Sequence, residues 1–474
     1  MTNNKENVRQ LISLGLAGVL MATTLWIFSQ VIRPLQNSEP ITAKNNTLGV
    51  PYTNSPLKDR MSLGEKIFIT KDLSPEKEAG SKAFADGDYI TAVSKFQSSL
   101  QRDRNDPESL IYLNNAKIAQ SNALKVAVIL PIVANVDESE EMLRGIAQAQ
   151  NEINSNGGIN GIPLKIQIAK VDNFQILEQL NQELVKDPHI LAVVGLSLDE
   201  SIYNNAGLVM VSPVNIKTLT EPSSERYVFY ATPSLVTYSD TLARHITREA
   251  RLDRIAICSE LQLPIINDIV KQYTDSIRKY GGDVTNTVCD LGASNFLARS
   301  FLDRAISDGA RGLLLIPTPR TTAAAIDVAQ ENQRRLWLFS PQTMYSETTV
   351  LNNGANFKGM VVAVPWHRNG NSDTTSFAKR AARLWGGEVS PRTATAYDAL
   401  QSIIAGLKQS STREGLQKAL SNPKFSAQGA GGKIQFSPKT GAREDGVFLV
   451  RIEPCDPTES CISRTGFRFK LIRR

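Results

Sequence analysis

From residue 124 to residue 339, short and nearly continuous apolar runs alternate with amphipathic stretches, and that rhythm restricts the chain to an α/β fold. The run 124–130 reads Leu-Lys-Val-Ala-Val-Ile-Leu. It offers apolar side chains to both faces, as a parallel strand covered on both sides requires. Residues 140–154 then set Met142, Ile146, Ala149 and Ile153 on one side of a helix. The connector Asn156-Gly157-Gly158-Ile159-Asn160-Gly161 ends that helix, and 164–169, 190–194 and 208–211 read as further strands. A second series follows, with strands at 254–258, 284–289, 312–316 and 336–339 and helices near 264–280, 293–308 and 321–331. Two such series predict two doubly wound, parallel-sheet lobes.

Ahead of this region, residues 11–32 form an uncharged apolar run. As a helix it covers about 33 Å, enough for the ~30 Å hydrocarbon core of a bilayer. Trp26 suits the outer interface. Lys5 and Arg9 precede the run, against Glu6, and Arg33 follows it. This modest positive-inside signal predicts a cytoplasmic tail at 1–10, a transmembrane anchor at 11–32 and the bulk of the chain in the periplasm or extracytoplasmic space. The competing reading is a cleaved secretory signal. The run is longer than the usual core of about 7–15 residues and lacks an A-x-A ending. Export permits disulfides. Cys455 and Cys461 bracket a turn-rich loop and are the first candidate pair. Cys258 and Cys289 end two strands expected to be neighbours and are the second, with buried free thiols as the alternative.

Residues 33–74 read as a linker, because 37–63 is rich in Asn, Pro, Thr and Ser and lacks apolar periodicity. Residues 75–122 read as helices, with a turn at Gly87-Asp88 and a new start at Asp106-Pro107. The spacing of Ala83, Gly87, Tyr89, Ala92, Phe96 and Pro107 resembles roughly one and a half tetratricopeptide repeats. So short an array does not bury its apolar face alone, so the segment is expected to pack on the next domain or on a partner.

The formal charge of +6 arises from 53 Lys+Arg and 47 Asp+Glu, interspersed and without an arginine-rich block, which argues against nucleic acid. The histidines, His189, His245 and His367, are far apart, and the cysteines show neither CxxC nor grouping with His. No metal site and no thioredoxin-type chemistry is expected. The chain carries no G-x-S-x-G, H-E-x-x-H or P-loop motif. Gly157, Gly158 and Gly161 follow a helix, whereas a dinucleotide loop follows a strand. Neither an enzyme nor a cofactor is expected.

Four blocks, in order, carry a family resemblance. They are "LKVAVILPI" with "EMLRGIAQAQNEINSNGGINGIPLKI", "GLVMVSPVNIKTLTE", "PWHRNGNSDTTSFAKRAARLWGGEVSPRTATAYDALQSIIAGL" and "NPKFSAQGAGGKIQFSP". Together they resemble the type I periplasmic-binding family, the branched-chain amino-acid binding proteins of ABC transporters. The resemblance implies a binding domain at 123–474, with lobe 1 at 123–233 and 366–454, lobe 2 at 234–365 and a basic tail at 455–474. It implies three hinge crossings, near 232–235, 340–345 and 365–367. The ligand is expected between the lobes, beyond the carboxyl ends of the strands.

The family pattern holds a ligand carboxylate with hydroxyls and amides where a helix begins, and an ammonium with carboxylate or carbonyl oxygens. The resemblance implies ligand-binding roles for Ser197, Ser212, Val214, Asn215, Ile216, Gln342 and Tyr345. Several contacts are replaced. Asp199 adds a negative charge beside Ser197, or caps a shortened helix. Ile216 stands where the pattern has Thr and cannot donate. No Tyr occurs at 261–264, and Gln342 replaces an acidic residue, a weaker ammonium partner. Two functions follow. One is a membrane-anchored solute-binding protein that captures a small polar ligand, an amino acid or a relative, for an ABC transporter permease or a sensor partner. The other is a non-transporting scaffold or sensor that uses a degenerate binding fold and the helical repeat for protein–protein interaction.

Overall fold

The computed structural model describes residues 56–474, except 133–134, 197–198, 216–225, 352–353, 371, 445, 457–464 and 474. The apolar run 11–32 and Cys461 lie outside the described residues. Among the described residues, no helix is long and apolar enough to cross a membrane.

The first sheet contains β1 (Met61–Ser62), β2 (Leu124–Leu130), β3 (Leu164–Lys170), β4 (Ile190–Val194), β5 (Val209–Ser212) and β6 (Val228–Tyr230). Their order is β1-β3-β2-β4-β5-β6, parallel except for β1. The second sheet contains β7 (Arg254–Ser259), β8 (Asp283–Val284), β9 (Gly312–Ile316), β10 (Trp337–Ser340) and β11 (Val361–Val364). A separate ribbon, β12 (Ala427–Gly429) and β13 (Gly432–Ile434), precedes β14 (Phe448–Pro454) and β15 (Phe467–Leu471). The second sheet runs β15-β14-β11-β10-β9-β7-β8, with β14 and β15 antiparallel to their neighbours.

Helices of six residues or more, among the described residues, are α1 (Pro75–Ala85), α2 (Tyr89–Arg102), α3 (Pro107–Lys117), α4 (Val136–Ser155), α5 (Phe174–Lys186), α6 (Ser201–Ala206), α7 (Leu235–Arg244), α8 (Pro264–Lys279), α9 (Ala298–Ser307), α10 (Thr322–Asn332), α11 (Ser372–Trp385), α12 (Pro391–Gln409) and α13 (Arg413–Ser421). Each sheet is covered on both faces. Side chains alternate across a strand, so Val126, Val128 and Leu130 of β2 enter one core while Ala127 and Ile129 enter another. In β7, Ala256 and Cys258 separate from Ile255 and Ile257 in the same way.

Three segments join the lobes: 231–234 between β6 and α7, 365–371 between β11 and α11, and 435–447 between β13 and β14. Residues 340–345, expected as a crossing, are not one, because β10 and β11 are neighbours in the same sheet. Residues 448–454 likewise belong to lobe 2 rather than lobe 1, and part of the basic tail is its last strand, β15. An apolar run announces a strand but not which sheet has an edge open to it. Strands β6 and β11 end at two of the crossings, and β14 begins opposite Val364, at the end of β11. The carboxyl edges of both parallel sheets therefore meet the hinge.

Residues 57–74 are not a linker. Leu57–Arg60 forms a 3₁₀ turn, and β1 pairs with β3. Arg60 is 1% exposed and ion-paired with Asp172, just beyond β3. Glu108 accepts the N–H groups of Phe68 (2.8 Å) and Ile69 (3.1 Å). The Asn115 side chain donates to Leu63 O and Ile166 O, each at 2.7 Å. Helix α3 is buried along most of its length and packs on α4. The helical segment thus packs on lobe 1. Polar, aperiodic composition concealed this, because the contacts are made by backbone groups and single buried side chains.

Candidate functional site

Strand order reverses between β2 and β4 in lobe 1, and between β7 and β9 in lobe 2. At such a reversal the loops diverge to opposite faces and leave a crevice beyond the strand ends.

In lobe 1, β4 runs into Gly195, where an added Cβ would lie 2.9 Å from Ile129 Cβ. A side chain at 195 would push β4 away from β2. Ser197 and Ile216 lie outside the described residues. Asp199 Oδ1 accepts the Ser201 N–H at 2.9 Å, where α6 begins. Tyr230, at the end of β6, donates its hydroxyl to Glu200. Burial, with the Glu200 charge beside it, pushes this phenol up, so it remains a donor. Ser212 is 1% exposed. Its hydroxyl donates to Val214 O at 2.7 Å and accepts the Val214 N–H at 3.3 Å, closing a turn on itself. Val214 and the buried Asn215 follow directly, so Ser212, Val214 and Asn215 meet at the end of β5.

In lobe 2, Glu260 follows β7 and is buried. Thr318 donates its hydroxyl to Glu260 Oε2. Arg320 donates Nε to Oε1 at 2.9 Å and Nη2 to the same oxygen. Asp290 Oδ1 accepts the N–H groups of Leu261 (3.1 Å) and Gly292 (3.0 Å). A disulfide between Cys258 and Cys289, with Cα atoms 4.7 Å apart, fastens this loop to β7. A Cβ on Gly292 would come within 3.1 Å of both Arg320 Nη2 and Glu260 Cγ. Sequence reasoning missed this group. Its only local signals are an acidic residue ending one strand and an arginine after another.

Gln342 opens the turn that follows β10. Gln342 Oε1 and Thr343 Oγ1 are buried and have no partner among the described residues. Tyr345 ends the same turn, within lobe 2. Its ring stacks on Phe469, centroids 4.0 Å apart, and burial pushes the phenol up to about 12. Its carbonyl accepts Arg392 Nη1 at 2.8 Å, while Arg392 Nη2 donates to Glu138 at 2.6 Å. Nearby, Arg368 pairs with Glu388. Among the described residues, no group of His, Cys, Asp and Glu is placed to hold a metal ion.

A family model described as periplasmic binding protein matches residues 123–457. The fold is shared with several solved structures. An ABC transporter substrate-binding protein from Desulfitobacterium hafniense, solved with Leu, is 20% identical with a TM-score of 0.58, over 73% of this chain and 99% of that one. The branched-chain amino acid transporter substrate-binding protein LivJ from Streptococcus pneumoniae, solved with isoleucine, is 13% identical with a TM-score of 0.61, over 74% and 99%. A solute-binding protein of an ABC transporter from Rhodopseudomonas palustris BisB5, solved with 3,4-dihydroxybenzoic acid, is 13% identical with a TM-score of 0.60, over 74% and 97%. No curated protein matches the chain.

Proposed function

The chain belongs to the periplasmic binding protein family, and from that premise we propose that it is a membrane-anchored, extracytoplasmic solute-binding protein. It captures a small polar ligand, an amino acid or a relative, between two lobes and delivers it to an ABC transporter permease. One observation carries this reading. Two separate parallel sheets, each with one reversal of strand order, bring their carboxyl ends to a hinge of three crossings. Ligand that contacts both walls favours the closed arrangement and shifts the hinge toward it. Ser197, Ser212, Val214, Asn215 and Ile216 line the first wall, and Gln342 the second. Residues 11–32 act as the anchor.

Thermal denaturation with a panel of amino acids and small organic acids tests the proposal. A ligand at about 100 times its Kd stabilises the native state by ~2.7 kcal/mol. Capture is abandoned if no compound raises Tm.

A scaffold or sensor role is the second reading. The attachment of α1–α3 to lobe 1 through Asn115, which donates to Ile166 O in β3, favours it, because a tetratricopeptide-like surface then moves with that lobe. A partner recovered on α1–α3 with no solute effect on Tm supports this reading.

A further inference from the structure

We propose that Arg320 is the anion-binding group of the second wall, and that the captured solute carries a carboxylate or a similar small oxyanion. The inference deepens the solute-capture reading and rests on it.

The position comes first. Arg320 follows β9 and Glu260 follows β7, so a single ion pair spans the strand-order reversal of lobe 2. That is where an open α/β sheet holds its ligand. The burial of the pair is lopsided. The Glu260 side chain is 1% exposed and that of Arg320 is 41% exposed. A solute arriving from solvent meets the guanidinium, with the carboxylate behind it. Nε and Nη2 both donate to Glu260 Oε1, and Nη1 has no acceptor among the described residues. A guanidinium held in this way is pre-oriented, and its planar fork matches a carboxylate.

A stability role accounts poorly for the arrangement. Burying a carboxylate against an arginine is weak evidence of net stabilisation, because desolvation offsets the attraction. The surroundings instead fix the pair. Thr318 takes the second carboxylate oxygen, Gly292 leaves room for the guanidinium, and the Cys258–Cys289 disulfide holds the Gly292 loop to β7.

An independent observation points to a ligand on the same wall. Ser259 Oγ, at the end of β7, is buried without a partner among the described residues, as are Gln342 Oε1 and Thr343 Oγ1 beyond β10. Buried polar atoms left this way call for a partner. Strands β7, β9 and β10 are consecutive in the sheet, so these groups spread over two strand spacings, about 10 Å. That is the span of a small organic acid. Arg320 takes its oxyanion, and the other groups offer two hydroxyls and an amide oxygen.

The test uses the full chain in detergent with three acid and amide pairs: L-leucine and L-leucinamide, 3,4-dihydroxybenzoate and its amide, succinate and succinamide. Binding is followed by thermal shift and titration calorimetry. At least one acid should bind, and its amide should bind about ten- to a hundredfold more weakly, the effect of one charge-assisted hydrogen bond. Arg320→Gln should weaken the acid by the same factor, and Arg320→Lys should restore part of it. If Arg320→Gln fails to fold around an uncompensated Glu260, the double change E260Q/R320Q removes both charges and serves in its place. Amides that bind as tightly as acids, or acid binding that survives loss of Arg320, overturn the assignment and leave capture standing. A native chain that binds neither acid nor amide removes the capture reading and this inference with it.

Discussion

Lys77 keeps its charge where water does not reach it, 2% exposed, with Asp106 at 3.0 Å and Glu108 at 2.9 Å. Burial alone would lower its pKa, yet the two carboxylates hold it above the ordinary lysine value. Removing one partner of such a group leaves the others charged and unpaired. We expect Lys77→Met to destabilise the protein by about 3–5 kcal/mol in urea unfolding. A loss below about 1 kcal/mol, the size of an exposed pair, would show that water already reaches the site. His367 makes the corresponding case for a neutral group. Asn369 N–H donates to Nδ1 at 3.2 Å, so the ring proton sits on Nε2 and is donated to Phe469 O at 3.1 Å. Burial pushes its pKa down from 6.5 to about 4. As pH falls, the unfolded chain takes up this proton first. The stabilisation is therefore complete above pH 6.5 and is lost between there and pH 4, on the order of 3 kcal/mol in all. His367→Gln should flatten that part of the stability–pH curve. Parallel native and variant curves over this range would refute the assignment.

Between elements, α4 and α12 approach closely. A Cβ on Gly145 would lie 2.2 Å from Thr393 O and 2.6 Å from Tyr397 N, so the two backbones touch. Gly145→Ala should destabilise by about 1–3 kcal/mol, the range for overpacked cores. Gly387→Ala, with nothing within 4 Å, is the matched control and should leave Tm unchanged. If the two variants melt together, the helices separate more easily than this contact implies. The Cys258–Cys289 bond closes a loop with a sequence separation of 31, for which chain entropy predicts about 3–4 kcal/mol. Reduction should lower the urea midpoint accordingly, and an unchanged midpoint would count against the bond. These elements also show what was legible in the sequence. Strands β2, β4 and β9 and helices α8 and α10 fall within a residue or so of the expected spans, because periodicity is local. Strand β8 is only Asp283–Val284, since the chain leaves the sheet edge and touches it again only at Asp290. The sheet assignments of β1, β14 and β15 depend on which distant edge is free, and no local pattern encodes that. The proposed site divides the same way. Ser212 and Asn215 lie three apart on one strand end and could be read from the chain, whereas Glu260 and Arg320 lie 60 apart and meet only in the fold.

At the scale of the whole molecule, the Arg392 side chain ties the lobes beside their hinge. Arg392 begins α12 in lobe 1 and is 6% exposed. One nitrogen holds Glu138, at the start of α4 in the same lobe, and the other holds the carbonyl of Tyr345, whose ring stacks on Phe469 in the last strand of lobe 2. Any rotation of lobe 2 that moves Tyr345 away must break the Arg392 bond or drag the guanidinium from Glu138. Each charge-assisted bond is worth about 1.5–3 kcal/mol. Loss of one therefore changes the ratio of hinge states by about ten- to a hundredfold. Lysine lacks the second nitrogen and cannot span both partners, so Arg392→Lys should act almost like Arg392→Gln. In both variants, hydrogen exchange should quicken at 341–346 and at the start of α4, and the radius of gyration in solution scattering should rise. Exchange that quickens only near Glu138 would reduce Arg392 to a fastener within lobe 1, and control of lobe rotation would pass to the three crossings themselves.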